Sequence, residues 1–177
     1  MLAFCFKSST RIYFLNKIIS EKEAIHFEGL NVIADREMSP ADREMSSLKF
    51  SMNDSLELLK MDSIFKPKDI SFIREQINSQ NDFRFKQGFI KGKQIISSDL
   101  LNEFGGLTEK SFWTKLKERY GTDEFGTFSK PLFSIDGSAA VVRINYYTKN
   151  GGGGETMVFH KTGDKWKVVK MLGFWDN

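Results

Sequence analysis

The chain has 177 residues, 28% of them charged and 40% hydrophobic, with a formal net charge of +3. That length and balance fit one globular domain, 1–177, and exclude a disordered chain, while the small charge argues against a nucleic-acid partner. One cysteine, Cys5, and two histidines exclude an internal disulfide and a Cys/His metal cluster, and no motif implies a cofactor.

Seventeen phenylalanines predict a core built from rings. No apolar run approaches the ~20 residues of a membrane helix. Met1 to Phe6 (MLAFCF) reads as an apolar cap on that core. Leu2-Ala3-Phe4-Cys5 has the outline of a bacterial lipoprotein box, but Phe4 stands where a small residue is usual. The chain as it stands predicts a cytoplasmic protein. A true start upstream of Cys5 would instead predict a lipid-anchored extracytoplasmic one.

Ile12, Leu15 and Ile19 fall at i, i+3 and i+7 and predict a first helix within 11–33. A direct repeat follows: ADREMSP over 34–40, then ADREMSS over 41–47, matching at six of seven positions. A short in-frame duplication in a surface segment explains it, because loops tolerate insertion. A helix is predicted after Asn53 or Asp54, with Leu56, Leu59 and Met61 inward. Another begins at Pro67, where a missing N–H costs nothing, with Ile70, Ile73 and Ile77 on one face. Ser98 or Asp99 caps a short helix that Gly105-Gly106 stops. Thr108 caps the next, which carries Phe112, Leu116 and Tyr120 on one face and ends at Gly121.

Beyond Gly121 the period changes to two, which marks 122–177 as an antiparallel sheet. Phe128 to Ser134 reads as a strand, at an edge because of Pro131. Asp136-Gly137 marks a hairpin. Along 139–148, Ala140, Val142, Ile144 and Tyr146 share one face, and Val141, Arg143, Asn145 and Tyr147 a wetter one. Gly151 to Gly154 reads as a flexible hairpin loop; a phosphate cradle would need a helix after it, and a strand follows. A two-residue turn at Gly163-Asp164 would pair Phe159 with Val168, His160 with Lys167 and Lys161 with Trp166.

Candidate chemistry is thin. Segment 82–93 interleaves Phe83, Phe85 and Phe89 with Arg84, Lys86, Lys91 and Lys93. Rings with cations suit a single-stranded nucleic-acid platform, but a packed strand or loop shows the same alternation. His160 has no carboxylate partner in orienting position, and Lys167 opposite it disfavours a protonated imidazole. His26, among Glu23, Ile25, Phe27 and Glu28, reads as a polar position on an N-terminal element.

The C-terminal third carries a pattern: FSKPLFS at 128–134, Asp136-Gly137, Tyr146-Tyr147, the glycine run, KWKVV at 165–169, and Phe174-Trp175. It resembles a family of small uncharacterised proteins of Bacteroidetes-type bacteria, and the likeness extends back through Asp62 to Phe65 and the helix after Pro67. Members often carry two cysteines around the glycine run. Thr, Lys, Asn or Gly occupy those positions here, so the resemblance implies no disulfide. The strand ending in Lys-Trp-Lys-Val-Val is also similar to those of cone-shaped folds, such as nuclear-transport-factor-like and cystatin-like domains.

The expectation is an α+β fold: a helical N-terminal half on an antiparallel β-meander of three to four strands. The expected function is a non-catalytic binding domain using Arg143, Asn145, Tyr147, His160 and Lys167 on the wet sheet face to meet a protein or small molecule. One alternative is a pocketed carrier or enzyme lined by Tyr146, Tyr147 and His160. Another is a single-strand nucleic-acid binder.

Overall fold

The structure, a computed structural model, describes residues 7–21, 30–36, 52–78 and 83–176. Cys5, His26 and most of the duplicated segment lie outside these residues. In chain order the elements are α1 (Ser8–Ser20), β1 (Val32–Ala34), α2 (Met52–Leu59), α3 (Pro67–Asn78), β2 (Gln94–Ile96), α4 (Ser98–Phe104), α5 (Lys110–Tyr120), β3 (Glu124–Phe128), β4 (Leu132–Phe133), β5 (Ala139–Thr148), β6 (Gly151–Thr162) and β7 (Lys165–Asp176). The fold is α+β as expected, but the sheet is larger than the expected meander and is mixed. Among the described residues, seven strands form it, in the order β2-β1-β3-β5-β6-β7 with β4 also on β5. β1 pairs parallel with both β2 and β3; the remaining pairs are antiparallel. The two parallel partners escape sequence reading because three residues are too few to show an alternation. The crossovers that parallel pairing requires carry α2 and α3, then α4 and α5.

The sheet has helices on both faces. On one, Phe14, Leu15 and Ile18 of α1 pack on Ala140, Val142 and Ile144 of β5 and on Phe159 of β6. Phe14 meets Phe133, Phe159 and Trp166 edge-on, at centroid distances of 5.4, 5.5 and 4.7 Å. Such T-shaped contacts add to the area term. The predicted α1 stripe is displaced by one position: Phe14 and Ile18 are buried, and Ile12 and Ile19 only partly.

Two separate helix pairs share the opposite face. Leu58 of α2 with Ile70 and Ile73 of α3 cover Leu132, Ala139, Val141 and Val158. Leu101 and Phe104 of α4 with Phe112, Trp113 and Leu116 of α5 cover Phe125 and Tyr147. On α2, Leu58 is the inward residue. Leu56 and Leu59, expected inside, are 51% and 37% exposed.

Two buried polar side chains of α3 stand in for a strand beside β4. Gln76 Nε2 donates to Phe133 O at 2.7 Å, and its Oε1 accepts from Phe133 N at 3.1 Å. Asp69 accepts from Lys66 N at 2.8 Å and from Ile135 N at 2.9 Å, so it ties the first turn of α3 to the β4–β5 turn. An unmet N–H or C=O here would cost about 1–3 kcal/mol.

Phe128 to Ser134 is not one strand. β3 ends at Phe128, opposite Ile144, and β4 resumes at Leu132, opposite Val141. The register expected at Gly163-Asp164 holds: Phe159 lies opposite Val168, His160 opposite Lys167, and Lys161 opposite Trp166. Beyond it β7 slips twice, passing over Val169 and Leu172, so the strand carries two bulges. The duplicated segment is not wholly at the surface either. Ala34 closes β1 in the core and Asp35 is 7% exposed. Asp35 accepts from Ser98 N at 2.9 Å, tying the end of β1 to the start of α4.

Candidate functional site

The glycine run is strand, not loop. Lys149-Asn150 makes the turn, and Gly151, Gly152, Gly153 and Gly154 lie opposite Thr148, Tyr147, Tyr146 and Asn145. Four glycines in a row have little intrinsic reason to be extended. Neighbouring rings supply the reason. A Cβ on Gly153 would lie 2.5 Å from the Tyr146 hydroxyl and 2.7 Å from its ring. On the other face, a Cβ on Gly154 would overlap Asn145 Oδ1 and Trp175 Nε1. Absent side chains thus become seats for rings, a known way of rescuing glycine in a sheet.

Trp175 is the fixed point of this region. Its Nε1 donates to Asn145 Oδ1 at 3.0 Å, and Asn145 Nδ2 donates to Thr127 Oγ1 at 3.0 Å. Its ring lies 5.8 Å from that of Tyr147, which stacks on Phe125 at 5.1 Å. Asn145 and Tyr147 are 1% and 4% exposed, so the expectation that they form a wet face is overturned. The helix pair α4–α5 covers that end of the sheet.

Between the two helix pairs a cleft of about 260 Å³ remains. Asp54 of α2, Arg143 of β5, Gly154 and Thr156 of β6, and Gly173, Phe174 and Trp175 of β7 line it. Arg143 and Thr156 are cross-strand partners, and Arg143 Nε donates to Thr156 Oγ1 at 3.2 Å. That bond fixes the plane of the guanidinium. The two glycines differ sharply. Gly154 is filled above by Asn145 and Trp175, whereas a Cβ on Gly173 would meet nothing within 4 Å among the described residues. Gly173 is also absent from the glycines at positive φ, so its backbone does not require glycine.

One flank of the sheet beside the cleft is pinned by an ion pair. Lys170 Nζ lies 2.6 Å from Glu57 Oε2, and Lys60 Nζ lies 2.5 Å from Glu57 Oε1. Hydrogen bonds from Lys170 and then Lys60 lower the Glu57 pKa to about 2. A larger groove of about 610 Å³ runs along α2, lined among the described residues by Leu56, Glu57 and Leu59 and by Lys60 just beyond the helix end.

Of the expected site residues, only Arg143 lines the cleft. Asn145 supports it from beneath through Trp175. His160 lies opposite Ala139, four residues along the ladder from the Arg143–Thr156 pair, or roughly 13 Å at strand rise. Lys167 sits beside His160, so neither joins the cleft. Tyr146, Tyr147 and His160 do not converge either, because Tyr146 packs with the α1 core and Tyr147 with the α5 core. The rings of 82–93 are largely committed to the interior: Phe85 is 3% exposed and meets Phe83 and Phe128 edge-on. Sequence reading missed Asp54, Thr156, Gly173 and Trp175. The one available signal was Gly173, an isolated glycine in a strand pattern, which marks a bulge or a close approach.

Among the described residues, no group of three or more His, Cys, Asp or Glu could hold a metal ion, and no helix is long and apolar enough to cross a membrane. No family model, curated protein or solved structure matches the chain.

Proposed function

We propose that this chain is a binding domain whose working surface is the cleft between the helix pairs α2–α3 and α4–α5. The observation that carries the reading is Gly173. A strand glycine that neither its backbone conformation nor any described neighbouring side chain requires leaves open floor, among the described residues, beside a positioned Arg143. Glycine inside a strand costs packing and entropy, and close approach of a ligand is one reason to keep it. The interior under α1 supports a binding module over an enclosed carrier, because Phe14, Phe133, Phe159 and Trp166 fill it.

A cone-shaped sheet wrapped on α1, as in nuclear-transport-factor-like or cystatin-like domains, belongs to the same proposal. The two bulges of β7 support it, since bulges bend a strand and raise its twist. The likeness to the small Bacteroidetes-type proteins remains part of the proposal on the sequence pattern alone.

The test fills the floor. A mixed set of small fragments is screened by ¹H–¹⁵N NMR against the wild type and Gly173→Val, with the Trp175 indole N–H as reporter. Fragments are expected to move that signal in the wild type and to lose their effect in Gly173→Val, at an unchanged melting temperature. Shifts that persist in Gly173→Val, or a fragment set that never touches the cleft, would sink the reading.

A further inference from the structure

We propose that Asn150 is a site of covalent self-modification, independent of the cleft: its carboxamide closes on the backbone nitrogen of Gly151, and water opens the ring to aspartate and isoaspartate. Of the asparagines in the sequence, Asn150 alone is followed by glycine. The fold itself keeps the pair together. Lys149 and Asn150 are the exposed residues of the β5–β6 turn, and Gly151 takes a φ of 148°, a region that favours glycine. The turn therefore holds beside Asn150 the one residue type with no Cβ to shield its nitrogen. The Asn150 backbone N–H is tied to Thr148 Oγ1 at 3.2 Å, but among the described residues its carboxamide has no hydrogen-bond partner.

The step needs no reactant but water. Gly151 N bonds to Asn150 Cγ, the Cγ–Nδ2 bond breaks, and the Gly151 amide proton leaves with that nitrogen as ammonia. Water then adds to either ring carbonyl. Addition at Cγ leaves an aspartate in an unchanged main chain. Addition at the main-chain carbonyl routes the chain through the side chain, as isoaspartate, and lengthens the turn by a methylene. Gly151 pairs with Thr148 in the last rung of the β5–β6 ladder, and a rung at the exposed end of a hairpin opens most readily. The rungs behind it set Asn145 and Tyr146 opposite Gly154 and Gly153. A longer turn works against that register and so against the seating of the Tyr146 ring.

A second turn of the chain supplies the contrast. Asp136-Gly137 closes the same ring only through a neutral carboxyl. Asp136 accepts from Ser134 Oγ at 2.7 Å, Ser138 N at 2.9 Å and Ser138 Oγ at 2.8 Å. These bonds, that of Ser134 first, hold its carboxyl below the usual carboxylate value, so it stays ionised and tied.

The experiment ages the full chain in mildly alkaline buffer, then maps its peptides by mass spectrometry, with an isoaspartyl-specific methyltransferase to count isoaspartate. Asn150 is expected to convert before every other asparagine while Asp136 stays intact. Its rate should fall within about tenfold of that in the urea-unfolded chain, since opening one rung costs on the order of one hydrogen bond. In Asn150→Gln, whose longer side chain closes the ring far more slowly, the signal should disappear. Aged wild type should melt below fresh wild type, and Asn150→Gln should melt alike before and after. If Asn150 converts in urea but stays intact in the folded chain, the ladder protects it and the proposal falls. Earlier conversion at another asparagine or at Asp136 overturns it as well. Equal melting of fresh and aged wild type, once Asn150 has converted, overturns the link to the register.

Discussion

The two faces of the sheet solve one packing problem in different ways. Under α1 a single helix meets a continuous bed of rings and aliphatic side chains, with Phe14 at its centre. On the opposite face two helix pairs build two separate cores, one over Val141 and Val158 and one over Phe125 and Tyr147. Among the described residues, Asp54 is the one helix residue that lines the cleft at the seam between them, and Arg143 lies there. The face under α1, where Leu30, Phe85 and Ile90 complete the core, closes over a continuous bed, whereas the face shared by two helix pairs leaves a line where a polar side chain can survive. The candidate site is a by-product of that division of labour.

Mutations can break or sharpen the comparison. Phe14→Ala should have the largest effect, about 4 kcal/mol of stability, because it removes three ring contacts from a closed core. Denaturant unfolding measures it, and a loss near 1 kcal/mol would show that the α1 face is no better packed than the other. Next comes Gly154→Ala, at about 3 kcal/mol from overlap with Asn145 and Trp175 and loss of their hydrogen bond. Its control, Gly173→Ala, should stay within about 0.5 kcal/mol of the wild type. Equal losses at both glycines would erase the distinction between packed floor and open floor.

The smallest effect is a pH dependence. The Glu57 carboxyl is held at about 2, below its ordinary 4.5, by Lys170 and Lys60. A depressed carboxylate stabilises the fold above its unfolded pKa, and that contribution disappears as pH falls from about 4.5 to about 2. Glu57 is partly exposed, so solvent screens the effect. Glu57→Gln should therefore lose less stability than the wild type across that window, read from melting temperatures. Identical pH profiles would mean that the α2–β7 clamp contributes nothing.

Most of the helices were legible in the sequence because capping and periodicity are local. Pro67 opens α3 and Gly121 closes α5 at a φ of 73°. The β6–β7 register was legible because a two-residue turn at Gly163-Asp164 determines it. What escaped depends on distant residues. β1 and β2 have three residues each and are strands only by pairing, β2 with β1 and β1 with both β2 and β3. The glycine run becomes strand because Tyr146 and Trp175 sit over it. Tyr147 looked like a wet position by alternation, yet the helix that covers it lies more than twenty-five residues earlier in the chain. For the site, Arg143 was legible from its place on the polar side of β5. Its companions Asp54, Thr156 and Gly173 come from three other elements, and periodicity cannot associate them.

The two slips in β7 matter beyond the curvature of the sheet. β7 ends the strand order, twelve residues long, with Val168, Val169, Met171 and Phe174 all substantially exposed. A straight strand of that length and greasiness would be a template on which a second chain could lay its own backbone, and a third on that. Val169 and Leu172 break the row of outward N–H and C=O groups into short unequal runs, and Lys165, Lys167 and Lys170 add charge along it. The edge is therefore a poor start for a growing fibre, and ironing out either bulge should promote aggregation before it costs the fold.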